Sequence, residues 1–345
     1  MSSSITYSSI FSVQSIVIGP ATTFGLTLFV TGFYTLLYGL STYFIIKRQC
    51  ILNKKLHLAW TTAAFFISSL GALTKASTAI VDATFYYEAV RTRDLGPLEA
   101  YSSGSKSQTA MLTLTYVCYI IANCIADAIL IQRCYILYGS RKAFLVFLIF
   151  LSFSTNAIGI IAAGIRLKAQ TSNLINPLNW ALFLRGTNLQ LGYYCTNAAV
   201  NSCFTLLLAG RIWWMGQQAG ATLGSATDQR YRTVAAIILE SGIIYPIILI
   251  VQVALTENTS KIGIPVDFTA IAILMAGIAP TLINVRISIG KSVESTVYQD
   301  DSAAGHNSDA GRLGSLRLKH AGSSQTMSEK TGDVEQQGHG SPQFN

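Results

Sequence analysis

Long apolar runs, separated by polar segments, dominate the pattern of this chain. Each run extends for about 20 residues or more with few charged side chains. A helix needs roughly 20 apolar residues to cross the hydrocarbon core of a bilayer, which is about 30 Å thick. The pattern therefore predicts seven transmembrane helices, over residues 21–46, 59–85, 110–137, 143–165, 188–210, 233–256 and 263–285.

The segments at the two ends of the chain differ from these runs. From about residue 291 onward the chain is rich in Ser, Gly, Asp, Gln and His without an apolar period, which is typical of disorder. We therefore predict an all-α integral membrane protein with three parts. These are an extracellular amino-terminal segment over 1–20, a seven-transmembrane-helix bundle over 21–290 and a disordered cytosolic tail over 291–345.

The low density of charge agrees with lipid as the main solvent. Of the 345 residues 51% are hydrophobic and 12% are charged, whereas soluble proteins carry about 25% charged residues. The net charge is +8, but the basic residues lie at the ends of apolar runs and not on one face. This pattern favours the lipid bilayer as the partner and argues against nucleic acid.

The distribution of Lys and Arg predicts how the chain is threaded. One side of the predicted bundle receives 16 of the 24 basic residues and the other side 7, while Lys75 lies inside a span. Cytosolic loops carry the excess of basic residues in membrane proteins. We therefore expect the amino terminus outside and the carboxyl-terminal tail in the cytosol. The basic residues do not distinguish the plasma membrane from an internal membrane, and we take the plasma membrane as the expected location.

Three ionisable side chains lie near the outer end of the predicted bundle. Lys75 is within the second span, Asp82 is two turns further on the same face, and Asp267 begins the seventh span. Charged groups at membrane depth are costly, so they face the bundle interior or water. Asp267 is a plausible partner for Lys75. The group either satisfies this lysine alone or forms a pocket that holds a polar ligand.

Polar side chains also follow one face of the third span and one face of the fifth, at steps of three and four residues. They are Tyr116, Tyr119, Asn123 and Asp127 in the third span, and Asn197, Asn201 and Thr205 in the fifth. Such faces either bind a ligand or tie two helices by hydrogen bonds. We take Tyr119, Asn123, Asp127, Asn197 and Asn201 as candidate ligand contacts, together with the outer group.

A third polar group is predicted at the cytosolic end and consists of Arg133, Glu240, Asn284 and Arg286. A bridge between Arg133 and Glu240 would hold the third and sixth spans together. Breaking it would release the sixth span around Pro246. This proline and Pro280 in the seventh span each remove a backbone hydrogen bond and are expected to kink their helices. The group is a hypothetical switch between two packings.

Small residues predict where helices pack closely, because lipid gives little hydrophobic drive for association. Gly25, Gly32 and Gly39 lie seven residues apart along the first span. The fourth and seventh spans carry similar stripes, with Ser152, Asn156, Gly159 and Ala163 in one and Ala272, Ala276, Pro280 and Asn284 in the other. We interpret all three stripes as packing seams.

The residue combinations that catalysis or metal binding needs are not found in the predicted spans. Of the four histidines only His57 lies near a span, and the chain has no HExxH sequence. Ser241 has no histidine at its depth that would activate it. We therefore expect a protein that is not an enzyme and that has no cofactor and no metal site.

Four segments carry a resemblance to a known family: "ADAILIQRCYILYG", "LLLAGRIWW", "IILESGIIYP" and "GIAPTLINVRISIG". They resemble a large, uncharacterised family of seven-helix membrane proteins of basidiomycete fungi, over about residues 20–290. The resemblance implies the seven-helix topology and a fungal source, and it implies no activity. The positions that match the family pattern are Asp127, Arg133, Arg211, Glu240, Ser241, Tyr245, Pro280 and Arg286.

The topology is also that of G-protein-coupled receptors, although their motifs are incomplete. No acidic residue directly precedes Arg133, and the seventh span has Pro280-Thr281-Leu282-Ile283-Asn284 in place of NPxxY. We predict a receptor-like protein that senses an unknown ligand and signals to a cytosolic partner such as a G protein. The alternatives are a small-solute or proton-coupled transporter, for which Asp127 and Glu240 are candidate proton carriers, and a scaffold without ligand. The sequence does not indicate an oligomeric state.

Overall fold

A computed structural model describes residues 14–47, 54–94, 96–102, 105–139, 141–172, 177–223, 225–258 and 267–286. These residues are almost entirely helical, and none of them is in a β-strand. The predicted tail over 291–345 and most of the segment over 1–20 lie outside the described residues. The helices are α1 (Gly19–Lys47, after the π-helical turn Gln14–Ile18), α2 (Lys54–Thr92), α3 (Gly96–Ser102), α4 (Lys106–Leu137), α5 (Lys142–Thr171), α6 (Pro177–Leu223), α7 (Ser225–Glu257) and α8 (Thr269–Arg286).

Six helices in the described part of the chain are long and apolar enough to cross a membrane. They lie at Ile16–Lys47, Lys54–Thr92, Lys106–Leu137, Lys142–Thr171, Asp228–Glu257 and Thr269–Arg286. Six such helices imply a bilayer environment and indicate a polytopic integral membrane protein. The predicted spans at these six places are confirmed as long apolar helices. The predicted span over 188–210 lies within α6, which is 47 residues long but is not among the six.

Several segments that the sequence predicts as loops are helical. In place of a loop over 166–187, α5 continues to Thr171 and α6 begins at Pro177. In place of a loop over 211–232, α6 continues to Leu223 and α7 begins at Ser225. Hydropathy marks where lipid ends, and a helix without a breaking residue continues beyond that point.

The last helix of the described residues, α8, lies at the centre of the bundle. Of its residues 72% are buried, whereas only 22% are buried in the most apolar part of α5. Its apolar side chains belong to one core cluster with Tyr34 of α1, Ala72 of α2, Tyr119 of α4 and Leu249 of α7. The bundle is therefore built around α8, and α5 lies at its edge.

The glycine stripe of α1 does not form the predicted seam. A Cβ atom added at Gly25, Gly32 or Gly39 would meet nothing within 4 Å, and all three glycines are exposed. The residues that α1 buries include Tyr34 and Leu37. Seven-residue spacing identifies one face of a helix, but it does not say whether that face meets a helix or lipid.

The stripe of α5 does form a seam. Ser152, Asn156 and Ala163 are buried, and a Cβ atom at Gly159 would lie 2.8 Å from the ring of Tyr193 on α6. The stripe of α8 is likewise buried at Ala272, Ala276 and Pro280, while Asn284 is half-buried. Both helices that contain the predicted hinge prolines, Pro246 in α7 and Pro280 in α8, are helical without interruption through the proline.

Candidate functional site

The predicted partnership between Lys75 and Asp267 is confirmed. Lys75 Nζ lies 2.9 Å from Asp267 Oδ2, with the two side chains 23% and 36% exposed. Asp267 Oδ1 accepts a 2.8 Å hydrogen bond from the Thr269 backbone N–H, at the first turn of α8. The Asp267 N–H in turn donates to Thr23 Oγ1 of α1 at 3.2 Å. Asp267 therefore caps the central helix and connects it to α1 and α2.

Asp82 belongs to a different contact. Its Oδ1 accepts a 2.7 Å hydrogen bond from the hydroxyl of Tyr101, on the short helix α3. The Tyr101 ring stacks on Phe85 with centroids 4.1 Å apart. Burial, followed by the nearby Asp82 carboxylate, raises the pKa of Tyr101. Asp82 therefore holds α3 against α2.

A cavity of ≈ 380 Å³ lies beside the ion pair. We call this end of the bundle, where Lys75 and the start of α8 lie, the Lys75 end. Two cationic side chains and one carboxylate line the cavity, together with hydroxyl, amide and leucine side chains. The lining residues are Lys75, Leu112, Thr115, Tyr116, Arg166, Thr187, Gln190, Leu191, Tyr194, Gln252, Leu255, Thr256, Asp267 and Thr269. Asp82 is not among them.

Arg166 lines the same cavity as the ion pair. Its guanidinium lies over the rings of Tyr116, 5.9 Å from the centroid, and Phe183, at 5.1 Å. One of its terminal nitrogens donates to Gln190 Oε1, which also accepts from the Tyr116 hydroxyl at 3.3 Å. Gln190 Nε2 donates to the Tyr194 hydroxyl at 2.7 Å. Aromatic rings and an amide therefore hold this cation in place from several sides.

A buried network of amides and tyrosines lies beyond the cavity toward the middle of the bundle. We call the group Asn123, Asn197, Asn201 and Tyr245 the amide network. Asn197 Nδ2 donates to Asn123 Oδ1 at 3.1 Å and to the Tyr245 hydroxyl at 2.9 Å. Tyr245 also donates to Asn123 Oδ1, and Asn201 Nδ2 donates to Asn197 Oδ1 at 2.8 Å. The predicted pairing of polar faces on the third and fifth spans is therefore confirmed, with α7 as a third member.

Tyrosine rings close the space between the cavity and the amide network. Tyr119 is 2% exposed and its hydroxyl lies 3.5 Å from that of Tyr245. Asn123 Nδ2 donates to the Tyr193 hydroxyl at 3.0 Å. On α4 the step from Tyr116 in the cavity to Asn123 in the network spans about 10 Å, at 1.5 Å per residue. A cavity beside Asn201 and Pro280 measures only ≈ 10 Å³.

Asp127 does not join the amide network with which the sequence groups it. Its Oδ2 accepts hydrogen bonds from Ser152 Oγ at 2.6 Å and from Asn156 Nδ2 at 3.2 Å. Both donors are on α5, because one turn beyond Asn123 the neighbour of α4 on this face is α5. Asp127 therefore ties α4 to α5 and lies away from the cavity.

The predicted bridge between Arg133 and Glu240 is not formed. Glu240 Oε2 lies 2.7 Å from Arg286 Nη1, and the Glu240 side chain is 67% exposed. Arg133 donates to Asn284 Oδ1 at the end of α8. Glu240 is on a face of α7 that points away from the bundle interior. Glu240 and Arg133 therefore do not meet, and each contacts a different residue of α8. We call this opposite end of the bundle the Arg133 end.

Sequence reasoning missed Arg166, Gln190, Tyr193 and Tyr194. The fourth span predicted from hydropathy ends at residue 165, which places Arg166 in a loop. In the structure the helix continues to Thr171 and brings Arg166 to the cavity. The tyrosines gave no distinct signal, because the same residue type is common at lipid interfaces and in cores. Gln190, Tyr194 and Asn197 follow each other at steps of four and three residues on one helix face. This spacing is the sequence signal that could have identified Gln190 and Tyr194.

Comparison with known proteins provides no relative from which a function can be transferred. No protein-family model matches the chain, and neither a curated protein nor a solved structure is significantly similar to it. Within the described ranges, no three His, Cys, Asp or Glu side chains come together in a way that could hold a metal ion.

Proposed function

We propose that α6 also crosses the membrane, so that the chain spans it seven times. Gln190, Asn197 and Asn201 lower the mean hydropathy of α6, yet all three are at most 7% exposed. Gln190 bonds to Tyr116 of α4 and Arg166 of α5, and Asn197 bonds to Asn123 of α4 and Tyr245 of α7. Asn201 bonds to Asn197 on the same helix. A helix whose polar side chains are satisfied inside the bundle presents apolar side chains such as Leu206 to lipid.

The number of crossings decides whether the two chain ends lie on the same side. Epitope tags at both ends, tested with antibodies before and after permeabilisation of cells, will distinguish the possibilities. Seven crossings with the amino terminus outside expose only the amino-terminal tag in intact cells. Two tags that behave alike would contradict the seven-span topology and favour six crossings.

We infer that the protein is receptor-like and binds a small polar solute in the cavity at its Lys75 end, which faces the outside. The observation that carries this inference is the closure of the cavity by tyrosines and the amide network. A charged site at one end and a tightly hydrogen-bonded middle suit the detection of a solute from one side. A transporter must instead open its site to both sides in turn.

Engineered cysteines test this function directly, in a chain whose six native cysteines are replaced. Thr187→Cys is on the cavity wall and Thr205→Cys is on the far side of the amide network, where Thr205 is 1% exposed. A membrane-impermeant thiol reagent outside intact cells should label the first cysteine and spare the second. Labelling of Thr205→Cys, either without additions or only after a solute is added, would favour the transporter. Unlabelled Thr187→Cys in a folded chain would contradict the outward-facing cavity.

We further propose that a cytosolic partner, such as a G protein, reads a change at the Arg133 end. Tyr245 of α7 is in the amide network, and Glu240 lies on the same helix at the Arg133 end, so a shift of α7 would change both places. Guanine-nucleotide-sensitive binding of a G-protein heterotrimer to the reconstituted chain is the expected result. Binding that is insensitive to nucleotide, or no binding, would remove this partner and leave the cavity unaffected.

A further inference from the structure

Two cationic side chains with several N–H donors each, Lys75 and Arg166, line the cavity. We propose that the ligand carries an anionic oxygen group, a carboxylate or a phosphate, which Arg166 and Lys75 receive together. This inference rests on the proposed function, in which the cavity is the ligand site. It adds the chemical class of the ligand and the side chains that select it.

Two acceptor groups in the cavity wall, the Asp267 carboxylate and the Gln190 carbonyl, already bond to protein donors. Both oxygens of Asp267 are engaged, one by Lys75 and the other by the backbone of Thr269. Gln190 Oε1 accepts from two donors, Arg166 and Tyr116. A cationic ligand would therefore compete with Lys75 and the Thr269 backbone for Asp267, and with Arg166 and Tyr116 for Gln190.

The donors, in contrast, have capacity to spare. Arg166 Nε is buried and is without a hydrogen-bond partner among the described residues. An ammonium group has three N–H donors, and Lys75 directs one at Asp267. A buried donor that lacks an acceptor is destabilising. Because Nε has almost no accessible surface, a ligand oxygen would bind the terminal N–H groups of Arg166 beyond the one that donates to Gln190.

The charges of the site favour the same ligand. The cavity wall carries the cations Lys75 and Arg166 against the single carboxylate Asp267, so it is net positive without a ligand. The guanidinium of Arg166 is a planar, permanently charged group that suits carboxylate and phosphate oxygens. Because Tyr116 and Phe183 flank this guanidinium, little conformational freedom is lost when it binds an anion.

The remaining wall indicates the shape of the ligand. Leu112, Leu191 and Leu255 give the cavity an apolar side next to its charged one. Its volume of ≈ 380 Å³ is near the lower end of the range of about 300–1,000 Å³ for small-molecule sites. A small anion with a compact apolar body fits this combination, and benzoate and phenyl phosphate are suitable probes.

The test uses the full chain in nanodiscs of zwitterionic lipid, with Thr187→Cys as the reporter. Benzoate and phenyl phosphate should slow labelling of this cysteine and raise the melting temperature, whereas benzamide and benzylamine should do neither. Arg166→Gln should weaken both effects about tenfold or more, since charge-assisted hydrogen bonds are lost. Arg166→Lys, which keeps the charge, should retain part of the effect and guards against misfolding of the first variant.

Lys168→Gln is the matched control, because Lys168 is an exposed basic residue two positions further along the same helix. It should leave protection by benzoate unchanged. Equal protection by the neutral and cationic probes, or none by the anions, would overturn the anionic ligand. If Thr187→Cys is labelled in the absence of any probe, the outward-facing cavity of the proposed function is still supported. The anionic ligand can therefore be wrong while the proposed function stands.

A lipid headgroup and a dissolved solute could both supply the anionic group. A second set of nanodiscs, which contain anionic lipid and no added probe, separates these sources. Slow labelling in this set, reversed by Arg166→Gln, would assign the group to a lipid headgroup. Labelling as fast as in zwitterionic lipid would assign it to a dissolved anion.

Discussion

At the scale of single residues, Asn197 connects three helices through one amide group. Its side chain is bonded to Asn123 of α4, Tyr245 of α7 and Asn201 one turn along α6, and it is 1% exposed. No water is available inside a bilayer to replace a lost partner. The amide is therefore more costly to remove than its individual hydrogen bonds suggest.

We expect Asn197→Leu to destabilise the bundle by about 1–3 kcal/mol, because it leaves Asn123, Asn201 and Tyr245 short of partners. The measurement is thermal or denaturant unfolding in nanodiscs. Asn188→Leu, at an exposed position of the same helix, is the control and should change stability little. An equal effect of the two substitutions would show that the amide network does not stabilise the fold.

The ion pair between Lys75 and Asp267 makes a second prediction at this scale. Lys75→Met and Asp267→Asn should each destabilise the protein, since the remaining charge loses its partner, and the double variant should recover part of the loss. Because both side chains are partly exposed, we expect a coupling of roughly 1–2 kcal/mol, below that of a fully buried pair.

The pair Arg232–Asp228 is the matched control for this double-mutant cycle. It has the same 2.9 Å separation but lies at one helix end, with the arginine 54% exposed. Its coupling should be only about 0.3–0.5 kcal/mol. Similar couplings for the two pairs would mean that the position of Lys75 near the cavity gives it no special role in stability.

These residues also show what the sequence could reveal. Lys75, Asn123 and Asn197 were identifiable because charged and amide groups at membrane depth require a partner. This requirement does not identify the partner. The sequence correctly indicates Asp267 as the partner of Lys75, but it groups Asp127 with the amide network and pairs Glu240 with Arg133, and neither contact is formed. Which helix faces a given side chain depends on the rotation of each helix, and the sequence of one chain does not specify it.

At the scale of helices, glycines in two different helices have opposite roles. A Cβ atom at Gly277 of the central helix would collide with the Tyr34 hydroxyl and lie 2.7 Å from Ser68 Oγ, whereas one at Gly32 of α1 would meet nothing within 4 Å. The first glycine lets three helices approach each other. The second lies on an open face.

We expect Gly277→Ala to destabilise the protein by about 1–3 kcal/mol, because the added methyl group overpacks the core. Gly32→Ala should be neutral or slightly stabilising, since alanine is the better helix former. Unfolding in nanodiscs measures both. If Gly32→Ala were as damaging as Gly277→Ala, the open face of α1 would have to be a packing surface after all.

The extent of the helices was only partly predictable. Six of the apolar runs coincide with long helices, because lipid crossing imposes both length and composition. The continuation of α5, α6 and α7 into polar sequence was not visible, since hydropathy does not report on helix propensity. That continuation brings Arg166 over the cavity, so the main omission at the site follows from an error in a helix boundary.

At the scale of the whole molecule, the bundle has an apolar outer surface and a core around its last helix. Large exposed side chains include Phe29 of α1 and Phe150 and Phe153 of α5, each 68% exposed or more. An apolar photoactivatable probe dissolved in the bilayer should label α1 and α5 strongly and spare α8. Peptide mapping by mass spectrometry gives the measurement, and labelling of α8 as strong as that of α5 would contradict the central position of α8.

The central position of α8 has a consequence for biosynthesis. The ribosome makes this helix after the seven other described helices. These earlier helices must wait in the bilayer while the space for their common neighbour is still unfilled. Lys75 must likewise wait for Asp267. A nascent chain that stops before Thr269 should therefore reach the membrane but never mature, and the cell's quality control should degrade it.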